Sequence, residues 1–158
     1  MSERTWPAKV LTVSDGVADR TREDRSGAAL AERLGAAGFD VVERRVTADG
    51  VDAVASALRD LTDEFPGLVV TTGGTGFGPR DLTPEGTRAV LDREAPGLAE
   101  AMRLVSPLGR LSRALAGTVG QALVLNTPGS SKGAVETLDA VLDVVPHALD
   151  LLAGGRPH

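Results

Sequence analysis

The chain has 158 residues, enough for one ordinary domain, and its 42% hydrophobic and 25% charged content marks it as globular, with a core that must be aliphatic because aromatics make up only 3%. A net charge of −5 and so few aromatics argue against a partner that tracks a nucleic-acid backbone, and the lack of cysteine excludes disulfides, thiolate metal sites and a Cys nucleophile. The two histidines, His147 and His158, both lie near the C-terminus, which argues against a His-based triad or metal site; no apolar run reaches membrane-spanning length and no signal-like apolar region opens the chain, so the expected location is the cytoplasm.

Ala8 to Ser14 reads as a buried strand closed by Asp15-Gly16, and Val17 to Arg25 as a polar surface loop. Ser26 is placed to N-cap a helix running to about Gly38, with Leu30, Leu34 and Ala37 on one face. Phe39 to Thr47 alternates as a second strand. Val51, Val54, Ala55, Leu58 and Leu61 then fall on one helical stripe, which Pro66-Gly67 breaks. Leu68 to Thr72 is a short apolar strand suited to the middle of a parallel sheet. After the loop Gly73 to Asp81, Thr83 as N-cap and Pro84 at the first helical position predict a helix, and Pro96 opens another. Ser106 to Ser112 is irregular, and Ala114 to Asn126 reads as two strand pieces around Gly117 and Gly120, suited to a hairpin. The loop Asn126 to Lys132 leads into a closing helix carrying Val135, Leu138, Val141, Leu142 and Val145, which Pro146 should kink or restart before Leu149 and Leu152. Strands alternating with helices predict a single α/β domain of three layers, α/β/α, with a mostly parallel sheet. Ligands of such sheets sit outside the carboxyl ends of the strands, where both glycine-rich loops fall.

The loop Gly73-Gly74-Thr75-Gly76-Phe77-Gly78-Pro79-Arg80-Asp81 holds four glycines. Glycines let a backbone approach a ligand closely and turn successive N–H groups toward an anion, which a following helix N-terminus also favours. A plain strand-to-helix connection needs one or two. The loop lacks the Gly-Lys-Ser/Thr ending of a nucleotide-binding P-loop, and its spacing fails the dinucleotide fingerprint. Asp81 beside a phosphate cradle calls for a bridging Mg²⁺, although alone it also reads as a carboxylate at a helix start. Asp49 alone reads as an N-cap, and Asp15 alone as a turn residue. Jointly, three aspartates ending strands at one edge point to metal or proton work. Asn126 to Lys132 offers hydroxyls, turn N–H groups and Lys132 to a second anion, or simply caps the next helix. Asp24 to Gly27 offers an Arg and a helix start, or a solvated loop. Ser112-Arg113 carries no signal of its own.

Taken together, TVSD at Thr12–Asp15, EDRSG at Glu23–Gly27, TTGGTGFGPRDLTPE at Thr71–Glu85, EAPG at Glu94–Gly97, SPLGRLSR at Ser106–Arg113 and LNTPGSSKG at Leu125–Gly133 resemble the MogA/MoaB family, and are similar to the pterin-binding G domain of gephyrin. The motifs run in family order over nearly the whole chain, which implies a molybdopterin-binding domain over residues 8–153 with short tails at 1–7 and 154–158. The resemblance implies transfer of AMP from ATP to the terminal phosphate of molybdopterin, with Mg²⁺ as cofactor, a homotrimer, and the molybdenum insertase as downstream partner. It also admits a catalytically silent MoaB-type pterin-binding protein or an assembly scaffold. Carried over residue by residue, it implies Asp49 and Asp81 as the catalytic carboxylates and Mg²⁺ ligands, Ala48 standing where the family usually has proline. It implies Ser112 as a pterin contact. Ser14, Asp15, Ser26, Gly73, Gly74, Thr75, Gly76, Arg80, Pro128, Gly129, Ser130 and Lys132 complete the expected substrate- and nucleotide-binding set.

Overall fold

In the computed structural model, which describes residues 4–155, strand and helix alternate from the start. Strand β1 (Pro7–Val13) is followed by α1 (Asp15–Ala18), α2 (Arg25–Ala36), β2 (Asp40–Thr47), α3 (Val51–Thr62) and β3 (Leu68–Thr72). Then come α4 (Thr83–Arg88), the two-residue β4 (Arg93–Glu94), α5 (Pro96–Arg103) and a 3-10 turn at Pro107–Leu111. The chain closes with β5 (Ala116–Val119), β6 (Ala122–Thr127), α6 (Ser131–Asp139), a 3-10 turn at Leu142–Val144 and α7 (Val145–Leu152).

The six strands form one sheet in the order β2-β1-β3-β6-β5-β4. β1 runs parallel to β2 and β3, and β3 parallel to β6, whereas β5 is antiparallel to both of its neighbours. β3 is buried along its whole length, as its apolar composition requires of a central strand. One face of the sheet packs Val10, Leu68, Val70, Leu123 and Leu125 against Leu30 and Leu34 of α2, Met102 of α5, Leu138 of α6 and Leu149 of α7. The other face packs Leu11, Val13, Val69 and Val124 against Val54, Leu58 and Leu61 of α3. These are the three expected layers. The chain leaves β1 toward β2 by way of α2 and later returns to β3 by way of α3, so β1 is the point at which the strand order reverses. The crevice at its carboxyl end is where such sheets bind ligands.

Several local expectations are corrected. Val17 does not open a loop: Ser14 accepts the Val17 N–H and caps the single turn α1. α2 begins at Arg25 with Asp24 as its cap, Oδ1 accepting the Gly27 N–H at 3.0 Å, because a carboxylate two residues earlier is better placed than Ser26, which is itself buried. Ala37 caps the end of α2 and is exposed rather than facing the core. Thr83 does not cap α4: its hydroxyl donates instead to the Gly73 carbonyl at 2.9 Å, and Leu82 occupies the cap position. β4 has no sequence signature, since two exposed residues carry no periodicity. Pro146 does restart the closing helix, as α7. Trp6, placed in the N-terminal tail, is 4% exposed and belongs to the core, and Pro7 opens β1. Residues 1–3 and 156–158 of the expected tails lie outside the described residues.

Candidate active site

Four parallel strands deliver their carboxyl ends to one edge. Ser14 follows β1, Asp49 follows β2, Gly73 follows β3 and Pro128 follows β6. The edge is knitted by backbone bonds from Ser14 N–H to the Thr47 carbonyl (3.0 Å) and from Gly73 N–H to the Thr127 carbonyl (3.1 Å). Gly73 has φ +101°, and a Cβ there would lie 2.3 Å from the Val13 carbonyl oxygen; Gly74 has φ +70°, and a Cβ there would lie 2.2 Å from Thr83 Oγ1. Both positions therefore require glycine. The Gly73 N–H is already taken by Thr127, so its part is to let two strands meet and not to donate to an anion.

Beneath this edge lies a polar layer. Thr71, Thr72, Thr83, Thr87, Asn126 and Thr127 are all fully buried. Asn126 Nδ2 donates to Thr71 Oγ1 (2.9 Å) and Thr87 Oγ1 (3.1 Å), while its Oδ1 accepts the Leu115 N–H. Thr72 Oγ1 donates to the Pro128 carbonyl at 2.7 Å and Thr127 Oγ1 to the Thr71 carbonyl at 2.8 Å. Buried hydroxyls that each have a hydrogen-bond partner fix the loops above them more tightly than apolar side chains would. The polar ends of LVVTT and LVLNT were the available signal.

A cavity of about 830 Å³ opens over the edge, lined among others by Ser14, Ser26, Asp49, Gly73, Gly74, Asp81, Gly129 and Ser130. Asp49 and Asp81, which follow different strands, thus face one space. Asp49 does not cap α3, whose cap is Gly50. Its Oδ2 accepts the Asp15 N–H (2.9 Å), and Asp15 Oδ1 accepts the Asp49 N–H (3.0 Å), a reciprocal clamp between the ends of β1 and β2. Burial raises the Asp49 pKa above its ordinary value, with repulsion from Asp15 and Asp81 adding to it against the Asp15 hydrogen bond. Asp15 goes the other way: Arg80 and the Asp49 N–H hold its carboxyl below the usual range. Asp81 Oδ2 accepts the Gly78 N–H at 2.9 Å. Each of Asp49 and Asp81 commits one carboxylate oxygen to a backbone N–H and has a second to offer.

A smaller cavity of about 190 Å³ adjoins, lined by Met102, Arg103, Leu108, Ser112, Pro128 and Ser130 among others. Ser130 lines both. Ser112 therefore stands on a more apolar floor, apart from the two aspartates, and its Oγ accepts the Ala114 N–H.

Other expected residues stand outside the two linings. Thr75 is buried and its carbonyl accepts the Arg113 N–H. Gly76 presents its carbonyl to Arg113 Nε at 2.8 Å. Arg80 grips Asp15 with two 3.0 Å bonds and the Asp49 carbonyl with a third, because a carboxylate lies within its fork. Lys132 reaches along its own helix toward Glu136 at 3.8 Å and is 88% exposed. Arg113, which carries no sequence signal of its own, ties down the Gly73–Asp81 loop at Thr75, Gly76 and Asp81.

The chain matches the family described as "Probable molybdopterin binding domain" over residues 9–147. It is 39% identical over 152 residues to the molybdopterin adenylyltransferase of Helicobacter pylori strain J99, covering 92% of this chain and 86% of that protein. It is 38% identical over 165 residues to the molybdopterin adenylyltransferase of Escherichia coli K12, covering 92% and 84%. The crystal structure of the molybdopterin biosynthesis enzyme MoaB from Thermus thermophilus superposes with a TM-score of 0.89 at 46% identity, covering 95% of this chain and 98% of that one.

Proposed function

The chain belongs to the MogA/MoaB family of molybdopterin-binding proteins, and from that premise we propose that it is a molybdopterin adenylyltransferase, transferring AMP from ATP to the terminal phosphate of molybdopterin. The observation that carries this reading is the pair of adjoining cavities sharing Ser130, one polar with Asp49 and Asp81 on its wall, the other more apolar with Ser112. The polar one suits a triphosphate and the other a pterin.

In the reaction a terminal phosphate oxygen of molybdopterin attacks the α-phosphorus of ATP; a new P–O bond forms as the bond to pyrophosphate breaks. Such displacements need in-line positioning and charge neutralisation more than a strong base. Ser130, on the shared wall, sits where both substrates can be held. Gly74 lets the strand-end backbone approach the phosphates, and Gly73 lets the strands beneath them meet. Ser14, Ser26, Gly129 and the turn at Pro128 complete the binding edge.

Asp49 and Asp81 fit Mg²⁺: two hard carboxylate oxygens beside a phosphate site match the usual way this ion is held, through one or two carboxylates with substrate phosphates and water. When bound, Mg²⁺ supplies neutralisation of the phosphate charge. Asp15 and Arg80 support the pair by fixing the Asp49 backbone and carboxylate. Thr75 and Gly76 hold the loop, and Lys132 is placed to meet a phosphate only by leaving Glu136.

The domain we assign spans residues 8–153 together with the core residue Trp6 and Pro7 that open it, acts in the cytoplasm as a homotrimer, and hands its product to a molybdenum insertase. No helix among the described residues is long and apolar enough to cross a membrane. The test is direct: molybdopterin, ATP and Mg²⁺ are incubated with the protein and pyrophosphate is measured. Stoichiometric pyrophosphate with an adenylylated pterin is expected. Tight pterin binding without pyrophosphate would leave only the silent binding protein.

A further inference from the structure

We infer that Arg113 is the positioning residue of the nucleotide side of the site, holding the Asp81 loop in its working shape; this rests on the adenylyltransferase reading for its substrate and on geometry for everything else. Four acceptors converge on this one residue. Its N–H donates to the Thr75 carbonyl (2.9 Å), Nε to the Gly76 carbonyl (2.8 Å), Nη1 to Glu85 Oε2 (2.6 Å) and Nη2 to the Asp81 carbonyl. The acceptors extend from the start of the loop, through Asp81 itself, to the first turn of α4. Between β3 and α4 the backbone has no helix or strand of its own to hold it. Thr83 closes its base on the Gly73 and Gly74 carbonyls and Arg80 ties its tip to Asp15 and Asp49, whereas the stretch from Thr75 to Asp81 is tied to the opposite side by Arg113.

A guanidinium is suited to this task because its donors leave in fixed, divergent directions in one plane; a lysine ammonium presents a compact charge and cannot reach three separated acceptors at once. Arg113 lies outside both cavity linings, and all three of its guanidinium nitrogens donate to protein acceptors. It acts through the loop and not on substrate.

Its neighbours sort to the other ligand. Ser112 lines the smaller cavity, and Arg103, on the same wall, donates to the Ala114 carbonyl at 2.8 Å. Two consecutive residues thus serve different sides: Ser112 the pterin cavity, Arg113 the nucleotide loop. Removing Arg113 should therefore weaken nucleotide handling while leaving pterin affinity nearly unchanged, the reverse of Ser112→Ala.

The test uses the full chain with Arg113→Met and Arg113→Lys. Mg-ATP and molybdopterin affinities are measured by titration calorimetry, pyrophosphate release by steady-state kinetics, and folding by thermal unfolding. Both variants are expected to lose at least tenfold in Mg-ATP affinity and in kcat, with molybdopterin Kd within twofold of wild type. Adding guanidinium ion at tens of millimolar is expected to restore part of the Mg-ATP affinity in Arg113→Met and none in Arg113→Lys. If Arg113→Met does not fold, Arg113→Lys, which keeps charge and stem, decides the matter. Unchanged Mg-ATP affinity in a folded variant would overturn the inference, whatever its unfolding temperature. Wild type that binds Mg-ATP but releases no pyrophosphate would sink the transferase reading alone, since the affinity comparison still reads Arg113; wild type that binds no Mg-ATP would end both.

Discussion

Asp49 is held in an environment that disfavours its charge. Burial and the neighbouring Asp15 and Asp81 raise its pKa, so the folded state prefers the protonated form more than the unfolded chain does. A raised carboxylate pKa means that folding stability falls as pH rises from the unfolded value through the folded one, and stays reduced above it. Asp49→Asn keeps an oxygen for the Asp15 N–H and removes the charge. In EDTA at neutral pH its unfolding midpoint should rise, by a small amount because water reaches this half-buried carboxylate and screens its repulsions. Its advantage should shrink as pH falls below the carboxylate range, and a lower midpoint than wild type at pH 7 would contradict this. Stability gained in this way is expected to come with lost transfer, the usual exchange at a strained functional site. Asp81→Asn should lose transfer by at least a hundredfold with its circular dichroism and unfolding midpoint near wild type; wild-type turnover would remove Asp81 from the chemistry. Asp81 was legible because it lies within a long, specific string, Thr71–Glu85. Asp49 was legible only jointly with Asp81 and Asp15, since singly it resembles a cap. Arg113 was not, because the partners of its guanidinium lie 28 to 37 residues away and no local pattern encodes them.

The connection between β3 and α4 depends on backbone geometry that side chains would block. At Gly74 the backbone has φ +70° and a Cβ would meet Thr83 Oγ1 at 2.2 Å and Asp49 Oδ1 at 3.2 Å. Gly74→Ala should cost on the order of 1–3 kcal/mol, the range for a non-glycine residue forced into left-handed backbone, and should weaken Mg-ATP binding. Gly97→Ala is the matching control: it lies in α5, where a Cβ meets nothing within 4 Å. That change should be neutral or stabilising by up to about 1 kcal/mol from helix propensity alone. Urea unfolding of both variants checks the contrast, and equal destabilisation would argue against it. The long elements were readable from period, as with the stripe Val54, Leu58 and Leu61 in α3. What was not readable were competitions settled in three dimensions. Asp24 displaces Ser26 from the α2 cap because it is also anchored by Thr12 Oγ1 (2.7 Å) and Arg44 (3.0 Å). Thr83 gives up its cap for the Gly73 carbonyl.

At the scale of the whole molecule the topology does the assembling. Alternation of strand and helix foretold a parallel sheet, and parallel strands send all their carboxyl ends to one edge, so residues as distant as Ser14 and Ser130 share a cavity. The antiparallel pair β5–β6 was legible as a hairpin about Gly120, but the small cavity behind it was less so, since SPLGRLSR has no period. That region also presents Leu104, Leu108 and Leu111 to solvent at 85%, 74% and 53% exposure. Sedimentation equilibrium should give three times the chain mass of 16.3 kDa, as the proposed homotrimer requires; a monomer at micromolar concentration would contradict it.

The most direct test is a crystal structure with Mg²⁺ and an ATP analogue that resists cleavage between the α- and β-phosphorus. The phosphates are expected above Gly73, Gly74 and Ser130, with the metal between them and the carboxylates of Asp49 and Asp81. Phosphates bound elsewhere, with those two side chains touching neither metal nor nucleotide, would contradict the account.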